Sequence, residues 1–263
     1  MKQSRNLALV VALVLMLCSC SAISGSTSTE TFDDFDGPAG SPPNRDLWVY
    51  DFGDPHSANH EAQTYTSSPN NVRLDGEGHL LIQAQTTGNG YTSGRLVTRG
   101  TLDMLYGKVS ARIKMPSGQG IWPAFWMLGS DCPDVGWPEC GEIDLMELVN
   151  VGTTYYVTLH GPQGNSDYSD HDGVRASGSF PDLANDYHVY WLDWQPDSIT
   201  IGVDDTVLAV FGPASLPAGG RWVFNHPMYA VLNVAVGGDW PGPPTDATPF
   251  PATMIVDWFR YTP

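Results

Sequence analysis

Apolar and polar residues alternate with a period of two along much of the chain from Phe32 onward. Val109, Ala111, Ile113 and Met115 are interleaved with Ser110, Arg112 and Lys114, the pattern of a strand with one face toward a core and one toward water. Leu80 to Ala84 is a short apolar run after the turn residues Asp75-Gly76-Glu77-Gly78. Further strands are predicted over Tyr155 to Leu159, Tyr187 to Trp194, Ser198 to Val203, Val207 to Phe211, Met228 to Val236 and Met254 to Tyr261. The 28 Gly and 21 Pro residues punctuate these runs at short intervals. No long stretch has a helical period with caps, and residues 32–263 contain no internal repeat and no linker. The pattern predicts one all-β domain, a β-sandwich of the jelly-roll kind, because many short strands must stack or close to hide their edges. A sandwich of this size can bury a substantial core.

One predicted strand breaks the pattern. Glu142-Ile143-Asp144-Leu145-Met146-Glu147 places three carboxylates inside an apolar run, where an unpartnered charge is costly. Residues two apart share a face of a strand, so Glu142 and Asp144 point the same way. Glu147 has the wrong parity. A single β-bulge at Leu145-Met146 restores it, because a bulge sets two residues opposite one. All three acids then line one face. Two carboxyl groups on such a strand are expected at about 5–5.5 Å, the separation of retaining glycosidases. In this reading Glu142 is the nucleophile, Glu147 the acid/base, and Asp144 a hydrogen-bonding partner that orients Glu142. Crowded like charges raise one pKa and keep a proton on the acid. The alternatives are a solvated acidic edge or a calcium site, and the apolar Ile143, Leu145, Met146 and Leu148 argue against a solvated edge.

Composition narrows the partners. The formal net charge is -17, which repels phosphate backbones and excludes a nucleic-acid partner. Aromatics are plentiful, with nine Trp and eleven Tyr; core packing takes many of them, and exposed Trp rings are good platforms for the apolar faces of sugars. Residues 1–22 read as an export signal: Lys2 and Arg5 precede an apolar stretch from Leu7 to Leu17, too short to span a bilayer comfortably. Leu17-Cys18-Ser19-Cys20 resembles a bacterial lipoprotein box with Cys20 as the lipidated residue; the alternative is cleavage after Ala22. Export, free or lipid-anchored, is expected, with contact to a membrane only through that anchor. Residues 23–31 read as a flexible spacer and residues 32–263 as the catalytic domain. Cys132 and Cys140 bracket a Pro/Gly/Trp loop leading into the carboxylate run. In an exported chain they suit a disulfide better than a metal site, for which no suitably spaced His/Cys set exists. A monomer is expected.

The carboxylate run resembles the signature of glycoside hydrolase family 16, in the bulged form of its laminarinases. Similar blocks occur in order: Asp34-Phe35-Asp36-Gly37, Tyr91 to Arg95, Tyr106 to Val109, Pro116 to Gly129, Thr158 to Pro162, Asn233 to Gly242 and Val256 to Tyr261. The resemblance implies a concanavalin-like β-jelly roll of two curved antiparallel sheets, with a cleft crossing one sheet. It implies retaining endo-hydrolysis of β-1,3-glucan such as laminarin, with mixed-linkage β-1,3-1,4-glucan as a second substrate, and no catalytic cofactor. It implies Trp122 and Trp126 as sugar platforms, His160 near the acid/base, and Arg95 and Asn233 as donors to sugar hydroxyls. Asn59 to Thr66 resembles the family's Asn-Asn-Glu-Leu-Gln block and makes Asn59 a sugar contact. His60 departs from the family's second Asn there. Many relatives hold a structural calcium on the convex face; the matching positions are Asp34 and Asp257, where Asp34 replaces a longer Glu.

Two other readings stand beside this one. A non-catalytic glucan-binding module would share the fold, though such modules tend to lose the carboxylates that are intact here. A hydrolase of another polysaccharide, such as a galactan, or a transglycosylase would keep the carboxylates and change the substrate or the acceptor. No phosphate-cradling glycine loop and no serine-nucleophile elbow is present.

Overall fold

The computed structural model describes residues 29–53, 56, 59–163, 173–184 and 186–263. The export segment, Cys20 and most of the spacer lie outside the described residues. Among the described residues the chain is built from strands. In chain order these are β1 (Thr31–Asp33), β2 (Val49–Tyr50), β3 (Gln63–Tyr65), β4 (Val72–Leu74), β5 (Leu80–Thr87), β6 (Gly90–Ser93), β7 (Arg95–Val97) and β8 (Gly107–Lys114). There follow β9 (Ile121–Gly129), the helical turn α1 (Cys132–Val135), β10 (Glu142–Leu148), β11 (Thr154–His160), β12 (Gly173–Ser179) and β13 (His188–Gln195). The chain closes with β14 (Ser198–Val203), β15 (Thr206–Phe211), β16 (Met228–Val236) and β17 (Ala252–Thr262).

Two sheets stack as a jelly-roll sandwich. One runs β15-β14-β13-β8-β17-β5-β6-β3, with β1 on β17 and β4 on β5; the other runs β12-β11-β10-β9-β16-β7-β2. Their inner faces form one core. On β8 the buried Val109, Ala111 and Ile113 face inward, as the alternation predicts, and meet Ile143, Leu145 and Leu148 of β10 and Phe125 of β9. The pairing is antiparallel except for β3, which lies parallel to β6. All the other strand pairs are antiparallel, as expected. Two strands with β4 and β5 between them in sequence are not bound by hairpin geometry, and a three-residue edge strand can pair in either sense.

The predicted strands are all present, with ends shifted by a few residues. Strand β9 is not among them. Its sequence, Ile-Trp-Pro-Ala-Phe-Trp-Met-Leu-Gly, carries an internal Pro123 that reads against a central strand. It is nonetheless central, between β10 and β16. Gly129 ends it for a steric reason: a Cβ there would lie 2.0 Å from the Cys140 carbonyl oxygen.

Candidate active site

The bulge lies where parity demands it. Against β9, Asp144 pairs with Trp126 and Met146 with Phe125, so two steps on β10 match one on β9. Against β11, Asp144 pairs with Thr158 and Glu147 with Tyr156, three steps against two. Leu145 and Met146 both enter the core. Glu142, Asp144 and Glu147 consequently line a single cleft of about 480 Å³ on the outer face of the seven-stranded sheet.

Each acid has a distinct setting. Glu142, half-buried at the cleft floor, accepts the Trp137 Nε1–H at 2.9 Å. Glu147, 5 % exposed, accepts the Trp122 Nε1–H at 2.9 Å. Asp144 lies 3.2 Å from His160 Nε2. Burial above all, then the Asp144 charge, pushes Glu142 up to about 8, against the pull of His160 and the Trp137 N–H. Burial and Asp144 likewise hold Glu147 well above the usual carboxylate range. Burial by itself would lower His160; the Asp144 hydrogen bond and the surrounding carboxylates outweigh it and raise His160 to about 9. The imidazolium is thus the cation that offsets the acids.

The other expected site residues are brought to the same cleft. Asn59, Arg95, Trp122, Trp126, His160 and Asn233 all line it. Several are committed to neighbours. Trp126 Nε1 donates to Asn233 Oδ1 at 2.7 Å, and Asn233 Nδ2 donates to the Tyr65 hydroxyl at 3.1 Å. Asn59 and Gln63 both donate to Glu61. Arg95 stacks over Tyr65 at 4.8 Å and pairs with Asp51 at 3.0 Å. His160 stands opposite Glu142 in the β10–β11 register, and its charge acts on Glu147 as well. The bulge sets Glu147 opposite Tyr156, one residue nearer to His160 than an unbulged strand would place it.

Sequence reasoning missed Trp137, Trp240, Tyr65, Glu61 and Arg175, which also line the cleft. Trp137 had a signal: it lies between the bracketing cysteines, five residues before Glu142. Cys132 and Cys140 form the disulfide, with Cα atoms 4.8 Å apart. It closes the loop that carries the indole to Glu142. Trp240 lies within the Asn233 to Gly242 block but carried no assigned role there, and Arg175 left no local signal.

On the convex side, Asp257 accepts Arg112 Nη1 at 2.5 Å and lies 4.0 Å from His79 Nε2. The Asp34 carbonyl oxygen faces Gly78 nearby. Arg112 takes Oδ2 of Asp257 and His79 faces its Oδ1. Among the described residues the cluster with metal-ligand spacing is Glu142, Asp144 and His160, which the acid chemistry of the cleft already accounts for.

Comparisons with known proteins agree with this geometry. The sequence is 38 % identical over 232 residues to a β-glucanase of Rhodothermus marinus, covering 83 % of this chain and 79 % of that protein. It is 34 % identical to glucan endo-1,3-β-glucosidase A1 of Niallia circulans, covering 81 % of this chain and 35 % of that longer protein. The fold superposes on the endo-β-1,3-glucanase of Pyrococcus furiosus with a TM-score of 0.79 and 40 % identity, over 88 % of this chain and 93 % of that one. The family model for glycosyl hydrolases family 16 matches residues 59–260. With the three acids converging on one cleft of a jelly roll, the chain belongs to glycosyl hydrolases family 16 and is a glycoside hydrolase.

Proposed function

We propose that this enzyme is a retaining endo-hydrolase of β-1,3-glucans of the laminarin type, with mixed-linkage β-1,3-1,4-glucan as a second substrate. The observation that carries the reading is the bulge in β10, which turns Glu142, Asp144 and Glu147 onto one cleft face. Relatives named as glucan endo-1,3-β-glucosidases and as an endo-β-1,3-glucanase support the choice of polymer.

The settings of the two glutamates assign their roles. Both glutamates accept an indole N–H, but Glu142 borders solvent and stands opposite His160, so its ionised form is the better stabilised. Glu147 is more deeply buried and keeps its proton. In the first step a Glu142 oxygen bonds the anomeric carbon as the glycosidic C–O bond breaks, and the Glu147 proton passes to the departing oxygen. Asp144, hydrogen-bonded to Glu142 and to His160, holds the nucleophile's orientation. In the second step Glu147 takes a proton from water, whose oxygen bonds the anomeric carbon and releases Glu142. The indole rings of Trp122 and Trp126 supply apolar faces for sugar rings, and Asn59, Arg95 and Asn233 supply polar contacts.

The test is reducing-sugar release from laminarin, with product sizing, by the wild type and by Glu142→Gln. Release of a ladder of oligosaccharides by the wild type, abolished in the variant, is expected. Binding without release identifies a glucan-binding module; release from a galactan and from no β-glucan overturns the substrate.

We also propose export with lipidation at Cys20. The basic start and short apolar stretch support it, and the disulfide suits an oxidising compartment. Mass spectrometry of the N-terminal peptide from membrane fractions is expected to find acylated Cys20; a free N-terminus at Ile23 would instead establish cleavage after Ala22.

A further inference from the structure

The two flanks of the cleft are built differently. On the β16, β7 and β3 side, Asn233, Tyr65, Glu61 and Asn59 form a closed hydrogen-bond network, and Arg95 is tied to Asp51. On the β11–β12 side stands a cluster of rings and one guanidinium. Arg175, opposite Thr158 in the β11–β12 register, donates its Nε–H to Thr158 Oγ1 at 3.2 Å. Its guanidinium carbon lies 4.8 Å from the Trp240 ring centre and 5.9 Å from that of Tyr156. Trp240 packs edge-on against both Tyr156 and Trp122, at 4.8 and 5.3 Å, and Trp122 is the residue that donates to Glu147. Among the described residues no carboxylate lies within ion-pair distance of Arg175, in contrast with Arg95.

We infer that Arg175 is the specificity-determining residue of the leaving-group subsite, holding hydroxyls of the sugar that departs from, or re-enters at, Glu147. This rests on the hydrolytic reading above. The donor sugar must be read in a fixed, distorted pose, which suits the pre-organised network of the opposite flank. The departing sugar needs a looser hold that still keeps its oxygen at the acid. A guanidinium laid on Trp240, with its Nε spent on Thr158, retains its Nη donors for that sugar. The same hold favours interception of the glycosyl-enzyme: an acceptor hydroxyl gives its proton to Glu147, its oxygen bonds the anomeric carbon, and the bond to Glu142 breaks.

The experiment compares wild type, Arg175→Ala and Arg175→Lys on laminari-oligosaccharides and on an aryl β-laminaribioside, whose leaving group has no hydroxyls. For Arg175→Ala, kcat/KM on oligosaccharides is expected to fall about 10- to 100-fold, the effect of losing a charged donor. Hydrolysis of the aryl glycoside is expected to be unchanged and the ratio of transglycosylation to hydrolysis to drop. Arg175→Lys keeps the charge but not the planar fork and should lie between. An equal fall on both substrates, or none on oligosaccharides, overturns the assignment. A wild type inactive on both substrates overturns the hydrolytic reading itself, and this assignment with it.

Discussion

The outer faces of the two sheets treat acidic side chains in opposite ways. On the convex face, Asp257 meets Arg112 across neighbouring strands and both remain partly exposed. In the cleft, Glu142 and Glu147 face another carboxylate and have only indole N–H groups and one imidazole for relief. On both faces a register irregularity accompanies the acid, between Asp144 and Glu147 on β10 and between Val256 and Trp258 on β17. The difference lies in desolvation: a walled cleft strips water from its acids, so their proton affinities move, while an open face lets water and a guanidinium satisfy them. Function resides where the charges are least comfortable.

Several experiments can break or sharpen that contrast. The bulge itself is tested by deleting Met146. The shortened run Glu142-Ile143-Asp144-Leu145-Glu147 alternates strictly, so the three acids share one face without a bulge and Glu147 keeps its partner Tyr156. The variant should fold and still cleave glucan; a folded variant with no cleavage would refute parity as the reason for the extra residue.

Glu142→Ala and Glu147→Ala should each lose on the order of 10³-fold or more in glucan cleavage while remaining folded. Added azide separates their roles. With Glu147→Ala the azide attacks the glycosyl-enzyme and gives a product of retained configuration, whereas with Glu142→Ala it replaces the nucleophile and gives the inverted one. The reverse pattern would exchange the two assignments.

Trp137→Phe removes the N–H that stabilises ionised Glu142. The nucleophile's pKa rises further, so the acidic limb of the pH–rate profile should move to higher pH, with kcat lowered about 10-fold at its optimum. An unmoved acidic limb would show that the indole serves packing or sugar contact alone.

The pH dependence of stability carries a defined sign. Glu142 is raised from 4.5 to about 8, so the folded protein binds more protons than the unfolded chain in that window. Stability therefore declines as pH rises through it. His160, raised from 6.5 to about 9, acts in the same direction: its contribution is complete below 6.5 and lost through about 9. Melting temperatures should fall from mildly acidic to alkaline pH, and Glu142→Gln should flatten the decline. The smallest effect belongs to the convex face. Arg112→Ala should cost no more than about 1 kcal/mol, as surface ion pairs do, and leave glucan cleavage unchanged; a large loss of activity there would dissolve the contrast between the two faces.

Much of this molecule was legible in its sequence because its signals are local. Strands such as Ser198 to Val203 and Met228 to Val236 follow directly from apolar runs bounded by turn residues. The bulge is deducible from parity alone, since an acid at Glu147 has no tolerable place in the core. Strand β9 was obscured by Pro123, and the parallel seat of β3 by its brevity. The partners of the acids were harder. Trp137 lies near Glu142 in sequence, yet nothing local says that its N–H points there. That His160 faces Glu142 and pairs with Asp144 depends on the β10–β11 register, which no local segment fixes.

What the sequence by itself determined is the class of fold, the identity of the three acids and the need for one extra residue between the second and third. These depend on side-chain period and on the energy of burying charge, both properties of short segments. What only the tertiary structure decided is which distant groups surround each acid: Trp122 on Glu147, Trp137 on Glu142, His160 on Asp144, and Arg175 with Trp240 on the far flank. Proton affinity and sugar contact depend on distances of a few ångströms between strands far apart in the chain, and those distances exist only once two curved sheets have packed.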